Sequence, residues 1–406
     1  MNLIIIIQTI AILFGLTDFL TERYPRLQRD IYHIALFVVT FLFAIKYYYG
    51  PDIMSYAPFY ETVPTLSSIW SNPDDLRFHF EPGFATFCRI LKDCGLSFYW
   101  MTAVLTILYF MTIHLFLRRI ESKRSFALAI LVVLEYNVVC YELRQCLAIV
   151  FFLLMVMSLD RKQYLWTFVC ALCAVVTHKS GIAVVVPTLL YFLISQRNSL
   201  RTLSQLLLIA LVVMLLLPMT NLSFSFLSAL PLPSSILHSI NHHLSLGRQI
   251  QVVFIVYIVA LMILVHFSQY TRSRMESIAL AAMIGLVFIV MLYQYYYLLN
   301  RIRSYFTPLI LVFIFRYVQQ AEREHKSIPY GQLLKQSACF IMMLYMIHAT
   351  YAIHRGDRMV KHKVNEVCTV FELIDHRASD VQKSQMKKAE LWWEEDFMKD
   401  DTNKIK

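Results

Sequence analysis

Apolar runs about as long as a bilayer is thick recur along almost the whole chain, and the breaks between them are short. A run of about 20 such residues crosses the hydrocarbon layer only as a helix, because each backbone N–H and C=O must find its partner inside the segment. Twelve candidate spans stand at approximately residues 3–20, 31–49, 97–117, 125–140, 145–159, 163–177, 181–195, 203–218, 250–268, 277–298, 304–318 and 335–353. The run at 304–318 is short and holds Pro308, which makes it a candidate re-entrant segment and eleven spans the alternative. A mean hydropathy of +0.56 agrees with an integral membrane protein. The first run lacks a basic start and a small-residue cleavage site, so it is expected to be retained as a span. The expected architecture is an all-α polytopic membrane protein, with residues 1–353 as one membrane domain and 354–406 as a charged tail.

Basic residues orient the spans. Alternate connections carry sixteen Lys/Arg, among them Arg23, Arg26, Arg29, Arg118, Arg124 and Arg161, while the opposite short connections carry five: Arg144, Lys179, Arg248, Arg301 and Arg303. The positive-inside rule puts the first set in the cytoplasm and the N-terminus outside. The external loops are then 51–96 and 219–249. In the first, Ser71-Asn72-Pro73-Asp74-Asp75 has the form of a helix start, and residues 82–93 place Phe84, Phe87, Cys88 and Leu91 on one helical face, with Gly95 as a stop. That short helix is expected to lie in the outer interface, with Glu81 at its positive end. In the tail, Val364, Val367, Phe371 and Ile374 suggest an amphipathic helix near 362–378.

Several function classes fall away. The net charge of +10 lies in the connecting loops of the membrane body, because the tail balances eleven basic against eleven acidic residues. That is a topology signal, and no nucleic-acid partner is expected. Nine glycines form no dinucleotide or P-loop signature, and eight scattered cysteines have no zinc-ligand spacing. His238, His242 and His243 lack a neighbouring carboxylate; no metal and no cofactor are expected. The triplets Tyr47-Tyr48-Tyr49 and Tyr295-Tyr296-Tyr297 are most simply interfacial belts, with sugar stacking as the second reading.

Two polar breaks stand out within this pattern, Tyr141-Glu142-Leu143-Arg144-Gln145 and Thr177-His178-Lys179-Ser180-Gly181. An ionisable group at such a depth costs on the order of a few kcal/mol unless it is paired or faces water. Both breaks fall on the outer face, as do Asp52, Glu81, Arg301 and Arg303. Singly, each has an ordinary explanation: an arginine snorkels to the headgroups, and a histidine in a helix turn braces its turn. Together, carboxylates, a histidine and arginines at a bilayer surface suit a reaction at a lipid diphosphate. Arginine forks neutralise the leaving diphosphate, and a carboxylate or His takes a proton from an attacking hydroxyl.

The same residues, in order, carry a resemblance. Gly50-Pro51-Asp52…Tyr56, Glu81-Pro82-Gly83-Phe84, Arg144-Gln145 followed by Leu147-Ala148, His178-Lys179-Ser180-Gly181, and Arg301/Arg303 with Tyr305-Phe306 resemble the EpsG family of Wzy-type polysaccharide repeat-unit polymerases over about residues 30–320. The tail after 354 is longer than that pattern. The resemblance implies a multi-span glycosyltransferase of GT-C-like architecture in the bacterial cytoplasmic membrane, acting on its outer side. It implies undecaprenyl-diphosphate-linked oligosaccharides as substrates, the bilayer as surroundings, and a flippase and a chain-length regulator as partners. On these terms Arg144, with Arg301 or Arg303, holds the diphosphate, His178 or Glu81 is the base, and Asp52 and Tyr56 bind substrate. A flippase of lipid-linked glycans is the rival of another class, but it needs polar residues spread through the bilayer, whereas these cluster at one surface. A glycan ligase or acyltransferase at the same face is the rival among enzymes.

Overall fold

The computed structural model describes residues 3–47, 52–66, 80–195, 282, 284–285, 296–324, 368–369, 380, 383–384 and 387. They are almost entirely helical and fall into two compact units, Met1–Leu147 with Phe315–Lys406, and Ala148–Ile314. The expected spans at 203–218, 250–268 and 335–353, most of 277–298, the helix start at 71–75 and the loop 219–249 lie outside the described residues.

In the first unit, α1 (Leu3–Leu20), α2 (Pro25–Ala44), α5 (Phe98–Leu117) and α6 (Arg124–Cys140) pack together, with α6 buried on nearly every side. Gly15 sets the closest approach: a Cβ there would lie 3.1 Å from the Ala129 Cβ and 3.2 Å from the Phe126 Cα, so α1 and α6 touch almost backbone to backbone. The start of α6 is capped from outside the helix. Lys123, at its N-cap, has φ 61° and makes no side-chain capping bond, whereas Asp18 on α1 accepts the Phe126 N–H through Oδ2 at 2.9 Å. The Asp18 carbonyl also accepts from Gln28 Nε2 at 2.6 Å, which ties α2 to the same corner.

Helix α2 begins at Pro25, six residues before the apolar run that marked it, because Pro is suited to the first helical position and the opening turns are polar. Its buried stripe is Tyr32, Ala35, Val39 and Phe43; Ile34, Phe37 and Phe41 on the other side are exposed. Beyond α2 come β1 (Lys46–Tyr47), then α3 (Ile53–Thr62), a helix that the sequence pattern of loop 51–96 did not mark, and α4 (Pro82–Asp93). Strand β1 pairs antiparallel with β2 (Cys368–Thr369), with Lys46 opposite Thr369. Residues 368–369 are therefore extended, against the amphipathic helix expected across 362–378; the remainder of that stretch is outside the described residues. The pairing accounts for it, since a strand partner takes the backbone bonds that a helix would use internally.

The α4 helix has the bounds read from the sequence, set by Pro82 at its first position and by Gly95, at φ 74°, behind its last turn. Phe84 and Cys88 are buried as expected. Arg89 is also buried. Lys92 Nζ donates to the Glu61 and Val63 carbonyls at 2.8 and 2.6 Å, and the Tyr60 hydroxyl donates to the Leu96 carbonyl at 2.7 Å, so α3 and α4 form one cross-braced layer.

Helix α7 (Leu143–Asp160) runs from the first unit into the second, where α8 (Tyr164–Thr177) and α9 (Ser180–Ser195) follow as a tight pair. The run at 304–318 is part of α10 (Tyr296–Glu324), a continuous helix of 29 residues with Pro308 inside it. Over the described residues this corrects the re-entrant expectation: one missing N–H bond does not break a helix carried by so many others. Four described helices, α1, α2, α5 and α7, are long and apolar enough to cross a membrane; α8 and α9 are shorter apolar helices. The chain is an all-α polytopic membrane protein.

Candidate active site

Two groups of candidate residues are formed, one in each unit. The first is built on Arg144, in the opening turn of α7. Its Nη1 donates to Glu81 Oε2 at 2.7 Å and its Nε to the Tyr56 hydroxyl at 3.1 Å. The guanidinium lies 4.6 Å from the Phe80 ring centroid and 5.7 Å from that of Tyr56, within cation–π range of both. The side chains of Arg144 and Glu81 are 26% and 11% exposed. The pair is thus half withdrawn from water but still reachable, a setting in which a charge-assisted bond is stronger than at an open surface.

Each partner is placed by its own element. Glu81 is the N-cap of α4, where its carbonyl accepts the Ala85 N–H at 3.0 Å and its side chain makes no capping bond. The carboxylate therefore stays at the positive end of the helix and turns to Arg144. Tyr56 sits one turn into α3, with its ring 5.3 Å from Phe80 and 5.6 Å from Phe84, and Phe59 lies 4.7 Å from Phe80. This aromatic wedge holds α3 against α4 and fixes the phenol. Burial pushes the Tyr56 hydroxyl up to about 12, against the pull of Arg144, so the phenol keeps its proton while it accepts from the arginine. Asp52 occupies the N-cap of α3, one turn before Tyr56, and its carbonyl accepts the N–H groups of Ser55 and Tyr56 at 3.0 and 3.1 Å. Of the residues expected in the site, Tyr56, Glu81 and Arg144 meet directly, and Asp52 stands one turn before Tyr56 on α3.

The second group is built on His178, which ends α8 in an extended conformation and is 6% exposed. Its Nδ1 lies 2.5 Å from Ser180 Oγ and accepts the Ser180 backbone N–H at 3.2 Å; Ser180 Oγ in turn lies 2.9 Å from the Tyr305 hydroxyl. A backbone N–H can only donate, so Nδ1 is an acceptor and the ring proton is assigned to Nε2. The chain then runs one way: Tyr305 donates to Ser180, Ser180 donates to Nδ1, and Nε2 carries the ring proton. Tyr305 is itself fully buried, its ring edge-on to Phe152 with centroids 5.6 Å apart. Ser180 and Tyr305 had no assigned part in the sequence pattern, although both stand inside the motifs that carried it.

Gly181 makes the α8–α9 turn possible. A Cβ at this position would lie 2.5 Å from the Ala174 carbonyl oxygen and 3.2 Å from the Val175 Cα. Gly181→Ala is therefore expected to destabilise the protein by about 1–3 kcal/mol, as other insertions into packed interiors do. A thermal unfolding midpoint no lower than wild type, measured in detergent, would contradict this.

Arg301 and Arg303 lie in the first half of α10, both partly buried. A two-residue separation turns them about 160° apart on the helix, so they do not share a face. Arg301 is one turn before Tyr305 on the same face; Arg303 is directed elsewhere. The resemblance offered Arg301 or Arg303 for the diphosphate, and of the two Arg301 shares the Tyr305 face of the helix.

No curated protein and no solved structure matches the chain. The family model described as the EpsG family does, across residues 31–364, which takes in most of α2 and all of α3 to α10, with Tyr56, Glu81, Arg144, His178 and Tyr305. The chain therefore belongs to the EpsG family of Wzy-like polysaccharide polymerases, and it is a membrane enzyme of the polymerase, glycosyltransferase type.

Proposed function

We propose that the protein joins oligosaccharide repeat units carried on undecaprenyl diphosphate, on the outer face of the bacterial cytoplasmic membrane. The observation that carries this reading is the hold on Arg144. Nε and Nη1 are committed to Tyr56 and Glu81, so the guanidinium is fixed in advance, with its Nη2 edge outside both bonds. A preset arginine at a helix end near a membrane boundary is suited to a diphosphate, which gains charge as it leaves. Connectivity supports a shared face for His178. Helices α7 and α8, counted as two crossings, return the chain to the side on which Arg144 stands.

The reaction follows from these groups. A sugar hydroxyl of the acceptor attacks the anomeric carbon of the donor, and the bond from that carbon to the diphosphate oxygen breaks, with the electron pair leaving on the diphosphate. Arg144 stabilises that charge. Glu81 Oε1, outside the Arg144 bond, takes the hydroxyl proton. His178, presenting Nε2–H, donates a hydrogen bond to the substrate's phosphate or sugar oxygens rather than acting as the base. Arg301, on the Tyr305 face of α10, adds a second cation, and Asp52 positions acceptor hydroxyls.

In a deletion strain, long polymer is expected to vanish while single lipid-linked units accumulate on the outer leaflet, read as a glycan length ladder with leaflet-specific labelling. Accumulation on the inner leaflet would replace polymerisation with transport.

A further inference from the structure

Helices α2 and α5 carry matching stripes that the polymerase reading does not use. On α2 the stripe runs Arg29, His33, Phe37, Phe41, each one turn from the next; on α5 it runs Arg118, His114, Met111, Ile107. The two stripes are neighbours. The rings of His33 and His114 are 5.6 Å apart, and the buried Tyr32 hydroxyl lies 3.0 Å from His114 Nδ1. A phenol donating to Nδ1 leaves the His114 proton on Nε2, a donor. Arg124 closes the polar end: its Nε donates to the Ile120 carbonyl at 2.6 Å and its Nη2 to the Arg118 carbonyl at 3.1 Å. Among the described residues, Arg29 is paired with its neighbour Asp30 at 3.7 Å, and both of those side chains are largely exposed. Below the basic end the surface is apolar and open, with Phe37 69%, Met111 55% and Ile107 46% exposed.

We propose that this face of α2 and α5 is a binding site for an anionic phospholipid of the leaflet at which α2 begins and α5 ends. Its phosphate sits among Arg29, His33, His114 and Arg118, and one acyl chain runs along Phe37 and Met111. Charge complementarity selects the occupant. Basic clusters at the ends of adjacent transmembrane helices bind acidic headgroups, and guanidinium groups match phosphate oxygens geometrically. The apolar continuation distinguishes a lipid from a free phosphate ion, which would use the basic end alone. The site lies at the end of α2 opposite to β1 and α3, so its occupant is not the polymerase substrate held by Arg144.

The protein purified in detergent is titrated with dioctanoyl phosphatidylglycerol, with dioctanoyl phosphatidylcholine and with inorganic phosphate. Bound lipid is read by native mass spectrometry and stability by the thermal unfolding midpoint. The expected result is a preference for phosphatidylglycerol, with its affinity lowered roughly tenfold or more in Arg29→Gln/Arg118→Gln and unchanged in Arg161→Gln/Lys162→Asn, a basic pair on a different turn. Equal binding of the two lipids, or equal loss in both double variants, overturns the proposal. A midpoint shift reproduced by inorganic phosphate alone also overturns it, in favour of a free anion. If the arginine variant fails to fold, Phe37→Ala decides: unchanged phosphatidylglycerol affinity there refutes the acyl groove, and weakened affinity upholds it.

Discussion

Arg144→Ala is expected to cut polymer at least about 100-fold at unchanged protein level, the scale of losing one charge-stabilising donor in an active site. The variant loses the cation itself. It also leaves Glu81, only 11% exposed, without the partner that is 2.7 Å away in the native protein. Arg144→Lys separates these effects. A lysine restores the charge, but one ammonium on a flexible stem does not reproduce two N–H groups fixed at once on Tyr56 and Glu81. Polymer from the lysine variant is therefore expected to stay well below the wild-type level, and Tyr56→Phe, which removes one hydroxyl from that hold, is expected to be milder. The measurement is the amount and length distribution of glycan in cells matched for membrane-inserted protein. Wild-type polymer from Arg144→Ala would remove Arg144 from the reaction.

The second large loss is expected at His178. His178→Ala removes the Nε2–H donor and is expected to lower polymer by about 100-fold or more. Its two supports act at a distance from substrate and should cost less. Tyr305→Phe deletes one neutral hydrogen bond, worth on the order of 1 kcal/mol, so a fall of roughly fivefold is expected. Ser180→Ala interrupts the chain between Tyr305 and the imidazole, whereas Ser180→Thr keeps a hydroxyl and is expected to recover much of the loss. That pattern distinguishes a positioning role from a packing role, because alanine is the smaller intrusion of the two. Equal damage from Ser180→Thr and Ser180→Ala would indicate packing.

The sequence carried the helices more fully than the contacts. Bilayer-length apolar runs, Pro82 and Gly95 were enough to place α1, α4 and α5 closely, since each marker acts on its own element. Helix α3 escaped because Pro58 and three aromatic rings obscure its periodicity. The α2 start was read late, as polar opening turns do not resemble a membrane segment. Tyr56, Glu81 and Arg144 were all singled out as chemistry-bearing, but 88 and 63 residues separate Arg144 from its two partners, and no spacing rule reaches across such a gap. The Ser180–Tyr305 bond, over 125 residues, was hidden for the same reason. Arg301 and Arg303 stood as alternatives in the sequence, and helix geometry sets them on different faces.

The β1–β2 pairing has a consequence for counting. Two strands exchange backbone hydrogen bonds only if both stand on one side of the bilayer, so between residues 47 and 368 the polypeptide must traverse the membrane an even number of times. Ten of the twelve apolar runs fall in that interval, which satisfies the parity; dropping a single one of them does not. Residues 368–369 then share a compartment with β1, which the proposed reaction puts outside, so a periplasmic phosphatase fused after Lys406 is expected to be active if no further crossing follows.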